Sequence, residues 1–179
     1  MIVKKITQAG NKVIRTKAVA VQNISTKETK KIVKDLVDSM RHHGLVGMAA
    51  PQIGKGVRIF VTEILPTTFR KLNTNDIDAL RVFINPKILL TSSKQRKGWE
   101  GCGSVGFSNL FGKVSRPTSV VVEAYDQEGK KFQCRATHLL ARVIQHETDH
   151  LNGVLFVDSV DTKSYMSKDE YLKMKKLAQ

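Results

Sequence analysis

Apolar residues along this chain follow two rhythms. Ile32, Val33, Leu36, Val37 and Met40 recur at helical spacing, and Ser25 with Glu28 forms a capping-box pattern ahead of them. This predicts a helix from about Thr26 to His42, stopped by Gly44. Shorter apolar runs predict strands at Val57 to Thr62, Val82 to Ile84, Ser119 to Tyr125 and Lys131 to Ala136. The last two are joined by Gln127-Glu128-Gly129, which suits a hairpin turn. A second helix follows, with Thr137 as its cap and Asn152-Gly153 as its stop. A third, from about 167 to 178, has a capping box in Ser167 and Glu170 and sets Leu172 and Leu177 on one side. Helices flanking mostly antiparallel strands make the fold class α+β.

The second helix interrupts its own pattern. Leu139, Val143, His146 and His150 share one stripe, and Leu140, Ile144, Glu147 and Leu151 share the next. Two imidazoles and a carboxylate therefore point inward, where a charged group without a partner is costly. A metal ion resolves the conflict, because His at i and i+4 brings two ring nitrogens to one point. The competing account is a chance H-E-x-x-H string on a solvent-facing helix, which the inward register disfavours.

Two further stretches bear on that chemistry. In "GWEGCGSV", Cys102 sits between glycines that allow close approach of backbone, and it can supply a third ligand. A free Cys is otherwise a small buried hydrophobe, the role assigned to Cys134 in the "KFQCRA" strand. One Cys and two His leave the fourth tetrahedral position open, as in a catalytic rather than a structural centre. In "GLVGMAAPQIG", Gln52 is a side-chain donor among apolar residues and could face a developing oxyanion.

Composition narrows the field only modestly. With 179 residues, 41% hydrophobic and 26% charged, the chain suits one globular domain spanning 1–179. No repeat or long linker divides it, and no apolar run is long enough to cross a bilayer. The N-terminus lacks an apolar signal-peptide core. Its first acidic residue is Glu28, yet the basic start reads as a folded segment rather than a transit peptide. Two cysteines are too few for a disulfide framework and fit a reducing compartment. Thirty basic against sixteen acidic residues give a charge of +14, a general attraction to polyanions that names no partner. Aromatic residues, at 6%, are not interleaved with the basic runs, so a stacking platform for single-stranded nucleic acid is not supported.

The three chemistry-bearing stretches, in this order, resemble the signature motifs of the peptide deformylases. "QHETDHLNG" matches that family's H-E-x-D-H-L motif in full, and "EGCGS" matches E-G-C-L-S except at Gly103. "GMAAPQIG" matches the later part of G-x-G-x-A-A-x-Q, and "RIFV", "VFINPKIL", "VSRP" and "HLNGVLFVD" fall where the family has similar segments. The likeness runs from about Ile6 to Val160. It implies mostly antiparallel sheets packed around a central metal-binding helix, with N- and C-terminal helices. It also implies a metallohydrolase that removes the formyl group from the N-terminal formylmethionine of nascent polypeptides. Carried over by position, Cys102, His146 and His150 bind one divalent ion, natively Fe(II), with Zn, Ni or Co able to replace it. Glu147 is then the general base, Gln52 and the Gly103 N–H stabilise the oxyanion, and Gly47 brings backbone beside the substrate.

Three positions depart from the pattern, all on the substrate side. Leu45 stands where the first motif glycine belongs, and Gly103 replaces a leucine, which predicts a thinner wall and a more mobile loop. "SVGFSNLFGKVSRP" is longer than usual and aligns Phe111 where an arginine commonly grips the substrate. The expectation is deformylase chemistry with a weakened or shifted peptide preference. Two other readings are an amidohydrolase acting on other N-formyl or N-acyl substrates, and a catalytically silent paralogue binding the ribosome or RNA. The basic surface and the terminal "YLKMKKLA" suit docking on ribosomal RNA, and no membrane partner is expected. The cytoplasm is the expected location, with an organelle that initiates on formylmethionine also consistent.

Overall fold

A computed structural model describes residues 2–67 and 72–177 of the chain. A short helix, α1 (Lys12–Arg15), precedes the long α2 (Lys27–His42). The strands β1 (Gly47–Ala49), β2 (Ile59–Ile64), β3 (Asp78–Thr91), β6 (Ser119–Tyr125) and β7 (Lys131–Thr137) form a five-stranded sheet in the order β1-β2-β3-β6-β7. A three-stranded sheet has the order β4 (Gln95–Gly101), β5 (Leu110–Pro117), β8 (Val160–Ser167). Every strand pair within the two sheets is antiparallel. The central helix α3 (His138–Leu151) packs against β1, β2, β5 and β7, and α4 (Lys168–Leu177) ends the described chain. The α+β architecture is the one expected.

Alternation along β2 explains how the core is divided. Ile59 and Val61 join Ile32, Val33, Leu36 and Met40 under α2, whereas Phe60 joins Phe83, Ala141, Ile144 and Leu151 under α3. Both faces of β2 are covered, so its apolar run is nearly continuous. Phe60 stacks on Phe83 with ring centroids 4.6 Å apart. Cys134 is buried in the α3 cluster, as its strand predicts.

Several local expectations need correction. The cap of α2 is Thr26, whose side chain accepts from Thr29 N–H at 3.1 Å, so the Ser25–Glu28 box is not used. Thr137 occupies the cap position of α3, but its side chain makes no capping bond; Leu139 N–H donates to Asp76 Oδ1 at 3.3 Å. Gly44 and Gly153 have φ of 65° and 75°, the left-handed geometry that ends helices, as expected. Strand β2 begins two residues late, because Val57 bridges Val19 instead. Strand β3 runs far beyond Val82–Ile84: Asn85 (φ 51°) and Pro86 look like breakers, but the sheet absorbs them as a register shift against β6. Strands β1, β4, β5 and β8 were not predicted. Helix α4 follows the Ser167–Glu170 signal, but Leu177 is exposed and Ala178 lies outside the described residues. Among the described residues, no helix is long and apolar enough to cross a membrane.

Candidate active site

The fold brings the chemistry-bearing stretches to one place. Helix α3 supplies His146, Glu147 and His150, the end of β4 leads into Cys102, and a 3-10 turn, Ala50–Ile53, carries Gln52. Ligand atoms of Cys102, His146 and His150 lie within 4.8 Å of one another, and Cys102 Sγ is 3.1 Å from His150 Nε2. Cys102 and His150 are buried, and the His146 side chain is 12% exposed. Burial pushes the Cys102 thiol up, but the charge of His150 and hydrogen bonds to both imidazoles outweigh it and hold the thiol well below its usual value. Thiolate and imidazole donors so close together fit a transition-metal or zinc ion. Their buried, convergent geometry is the observation that the metal reading requires.

Behind the donors stands a charged network that the motif reading missed. Glu100, 6% exposed, accepts from Arg116 Nε at 2.8 Å and Nη2 at 2.9 Å, and from Arg142 Nη1 at 2.6 Å. Burial alone would raise its pKa, but Arg116 and His146 hold the carboxyl far below the usual range. An ionised carboxylate can only accept, so His146 Nδ1 donates to Glu100 Oε2 at 2.9 Å, leaving Nε2 as the ligand atom. Arg116 extends the network to Asp149 on α3 at 2.6 Å. Arg142, also on α3, donates to the carbonyls of Arg96 and Val114 and so ties the β4–β5 hairpin to the helix. The available signal was Glu100 itself, an acidic residue two positions before a buried Cys, and the arginine of "VSRP".

Glu147 lies beneath β1. It is 3% exposed, its Oε2 has no hydrogen-bond partner among the described residues, and burial pushes its pKa up to about 7. A Cβ on Gly47 would stand 2.5 Å from Glu147 Oε1 and 2.8 Å from Val143 Cγ1, so any larger residue there would push the Glu147 carboxylate aside. Gln52 is oriented at both ends: Oε1 accepts from Ala49 N–H at 2.7 Å, and Nε2 points at Cys102 Sγ, 3.8 Å away. Ser104 N–H also approaches that sulfur, at 3.4 Å.

Leu45 and Gly103, two separate departures along the sequence, meet in space. A Cβ on Gly103 would stand 3.4 Å from Leu45 Cδ1 and 2.8 Å from Ile6 Cδ1. The wall expected to be thin at Gly103 is therefore filled from two other segments. Phe111 reaches the site only at one remove. Its ring packs against Gly101, next to Cys102, and stacks on Tyr171 of α4 at 4.2 Å with an interplanar angle of 6°.

Known proteins share this fold and much of this sequence. The polypeptide deformylase family profile matches residues 3–165. Peptide deformylase 1 of Bacillus subtilis is 39% identical over 174 residues, covering 97% of this chain and 99% of the relative. A Synechococcus elongatus peptide deformylase solved in complex with actinonin is 35% identical, with a TM-score of 0.76 and coverage of 87% of this chain and 78% of that one. A class I type b peptide deformylase from Acinetobacter baumannii, solved with Met-Ala-Ser bound, is 28% identical, with a TM-score of 0.81 and coverage of 88% and 99%. With the profile spanning nearly the whole length and the donor set assembled, the chain belongs to the peptide deformylase family of metal-dependent hydrolases.

Proposed function

We propose that the whole chain acts as one catalytic domain that removes the formyl group from formylmethionyl peptides, with Cys102, His146 and His150 holding one divalent ion, Fe(II) natively and Zn, Ni or Co as substitutes. The observation that carries this is the convergence of those three donors beside the buried Glu147 carboxylate, whose Oε2 has no hydrogen-bond partner among the described residues. A cation bound there would supply Lewis acidity toward the formyl oxygen and favour deprotonation of a water. Glu147 accepts the proton of the attacking water and passes it to the departing amine nitrogen. Its place against the β1 backbone keeps it out of bulk water and close to any peptide lying along that strand. Gln52 Nε2 and the Gly103 N–H, which has no partner among the described residues, donate to the formyl oxygen as it gains charge, each worth about 3–4 kcal/mol in known hydrolases.

Topology offers the substrate a place. Strand β1 ends one sheet and β4 ends the other, so among the described residues each has an edge without a strand partner, suited to an extended peptide. Gly47 on β1 puts backbone polar groups beside the substrate, Leu45 supplies apolar wall, and Phe111 acts through the Gly101 backbone. The Met-Ala-Ser bound to the Acinetobacter baumannii relative has the chemistry of the expected product. Retention of Glu147 and Gln52 with the full donor set opposes a silent ribosome-binding paralogue. Action on nascent chains in the cytoplasm fits this substrate, and Lys168, Lys173, Lys175 and Lys176 on α4 suit transient docking on ribosomal RNA.

Anaerobic purification, metal analysis and a formyl-Met-Ala-Ser assay test the reading. Glu147→Gln should keep its metal and lose about 10²–10⁴-fold in kcat. A metal-loaded protein whose turnover is untouched by that change, or a donor set that binds no metal, would overturn it.

A further inference from the structure

The N-terminal segment crosses both stretches that carry the oxyanion donors. Thr7 N–H donates to the Gln52 carbonyl at 2.8 Å, and Ala9 N–H donates to the Ser104 carbonyl at 2.7 Å. Between them the Gln8 side chain turns toward the loop. Its Nε2 donates to the Gly103 carbonyl at 2.8 Å and to the Ile6 carbonyl at 3.2 Å, while its Oε1 accepts from Phe107 N–H at 3.1 Å. Ile6 reaches the same point and closes the space beside Gly103. One half-buried glutamine thus commits its amide group at both ends to this loop.

The loop needs such a restraint. Residues 102–109 contain no strand or α-helix, and Gly103 has the widest conformational choice of any residue type. Phe107 and Ser108 hold φ of 55° and 65°, left-handed values that non-glycine residues keep only where neighbours enforce them. The Gly103 carbonyl is anchored by Gln8, and the Gln52 turn is tied to the same segment one residue earlier. The spacing of the two donors is therefore set from outside the motifs that contain them.

We propose that Gln8 is a positioning residue for the reaction: it fixes the Gly103 backbone relative to the Gln52 amide so that both donors meet one oxygen. This rests on the oxyanion role proposed above. Misplacing a donor by a fraction of an ångström lowers kcat more than it alters ground-state binding.

Two metal-loaded full-length variants test it. Gln8→Met keeps the side-chain length and removes all three side-chain hydrogen bonds; Gln8→Glu keeps the acceptor for Phe107 but loses the donor to Gly103 and Ile6. On formyl-Met-Ala-Ser, kcat should fall about ten-fold or more in both, with KM changed less than about three-fold and with metal content and Tm as in the parent. Amide hydrogen exchange at Phe107 should speed up in Gln8→Met and stay slow in Gln8→Glu. Parental kcat in both variants overturns the proposal, and so does a loss that merely tracks lost metal or lowered Tm. A parent that releases no formate from any formyl peptide overturns the deformylase reading instead. The exchange measurement then still decides whether Gln8 holds the loop.

Discussion

Helices α3 and α4 announce themselves by similar local signals and have opposite fates. Both have an amphipathic pattern and a hydroxyl residue at the cap position. In α3, residues from Ala141 to Leu151 are buried on several sides, and the polar side chains around Glu147 are paired: Arg142 and His146 with Glu100, Asp149 with Arg116, and Gln145 with the Pro117 carbonyl. Glu147 itself keeps an oxygen without a partner among the described residues. In α4 no described residue is buried. It is held by Tyr171, which stacks on Phe111 and meets Trp99 edge-on, and its Lys173–Glu170 pair is exposed. The contrast teaches that caps and periodicity decide where a helix forms, while the surroundings decide its contribution. Exposed ion pairs contribute little, whereas the buried pairs around α3 fix one geometry and are costly to break.

Three substitutions grade that contrast. Arg116→Met removes the bidentate partner of buried Glu100, leaving it to Arg142 and His146, and unties Asp149; it should destabilise the fold by about 3–5 kcal/mol in denaturant unfolding. A loss under about 1 kcal/mol would show that the network is less desolvated than its burial indicates. Glu100→Gln keeps the shape but weakens the hold on His146, and should lower metal affinity about 10–100-fold by competition with a chelator. Unchanged affinity would mean that packing alone orients the imidazole. Tyr171→Ala removes the stack that docks α4 and should cost about 0.5–1.5 kcal/mol beyond the lost buried area, read as a small drop in Tm. If Tyr171→Ala proved as costly as Arg116→Met, the division between the two helices would fail.

What the sequence determined by itself is local. The stripe of α3 already placed His146, Glu147 and His150 inward, since 3.6 residues per turn decides which side chains share a face. The β6–β7 hairpin was legible in full for a similar reason, because a strand pair with a short turn needs only neighbouring residues. Strands β4 and β5 were not. In β4, Gln95, Arg96, Lys97 and Gly98 have no apolar alternation, and its pairing with β5 is supported by Arg142, far along the chain. The partners of Glu100 were invisible for the same reason. Leu45 and Gly103 read as two independent departures until the fold set them side by side with Ile6. A pattern within one element follows from backbone geometry alone. A contact between distant segments exists only after the chain has closed its loops, so the ligand-bearing helix was readable while the groups that position it were decided by tertiary structure.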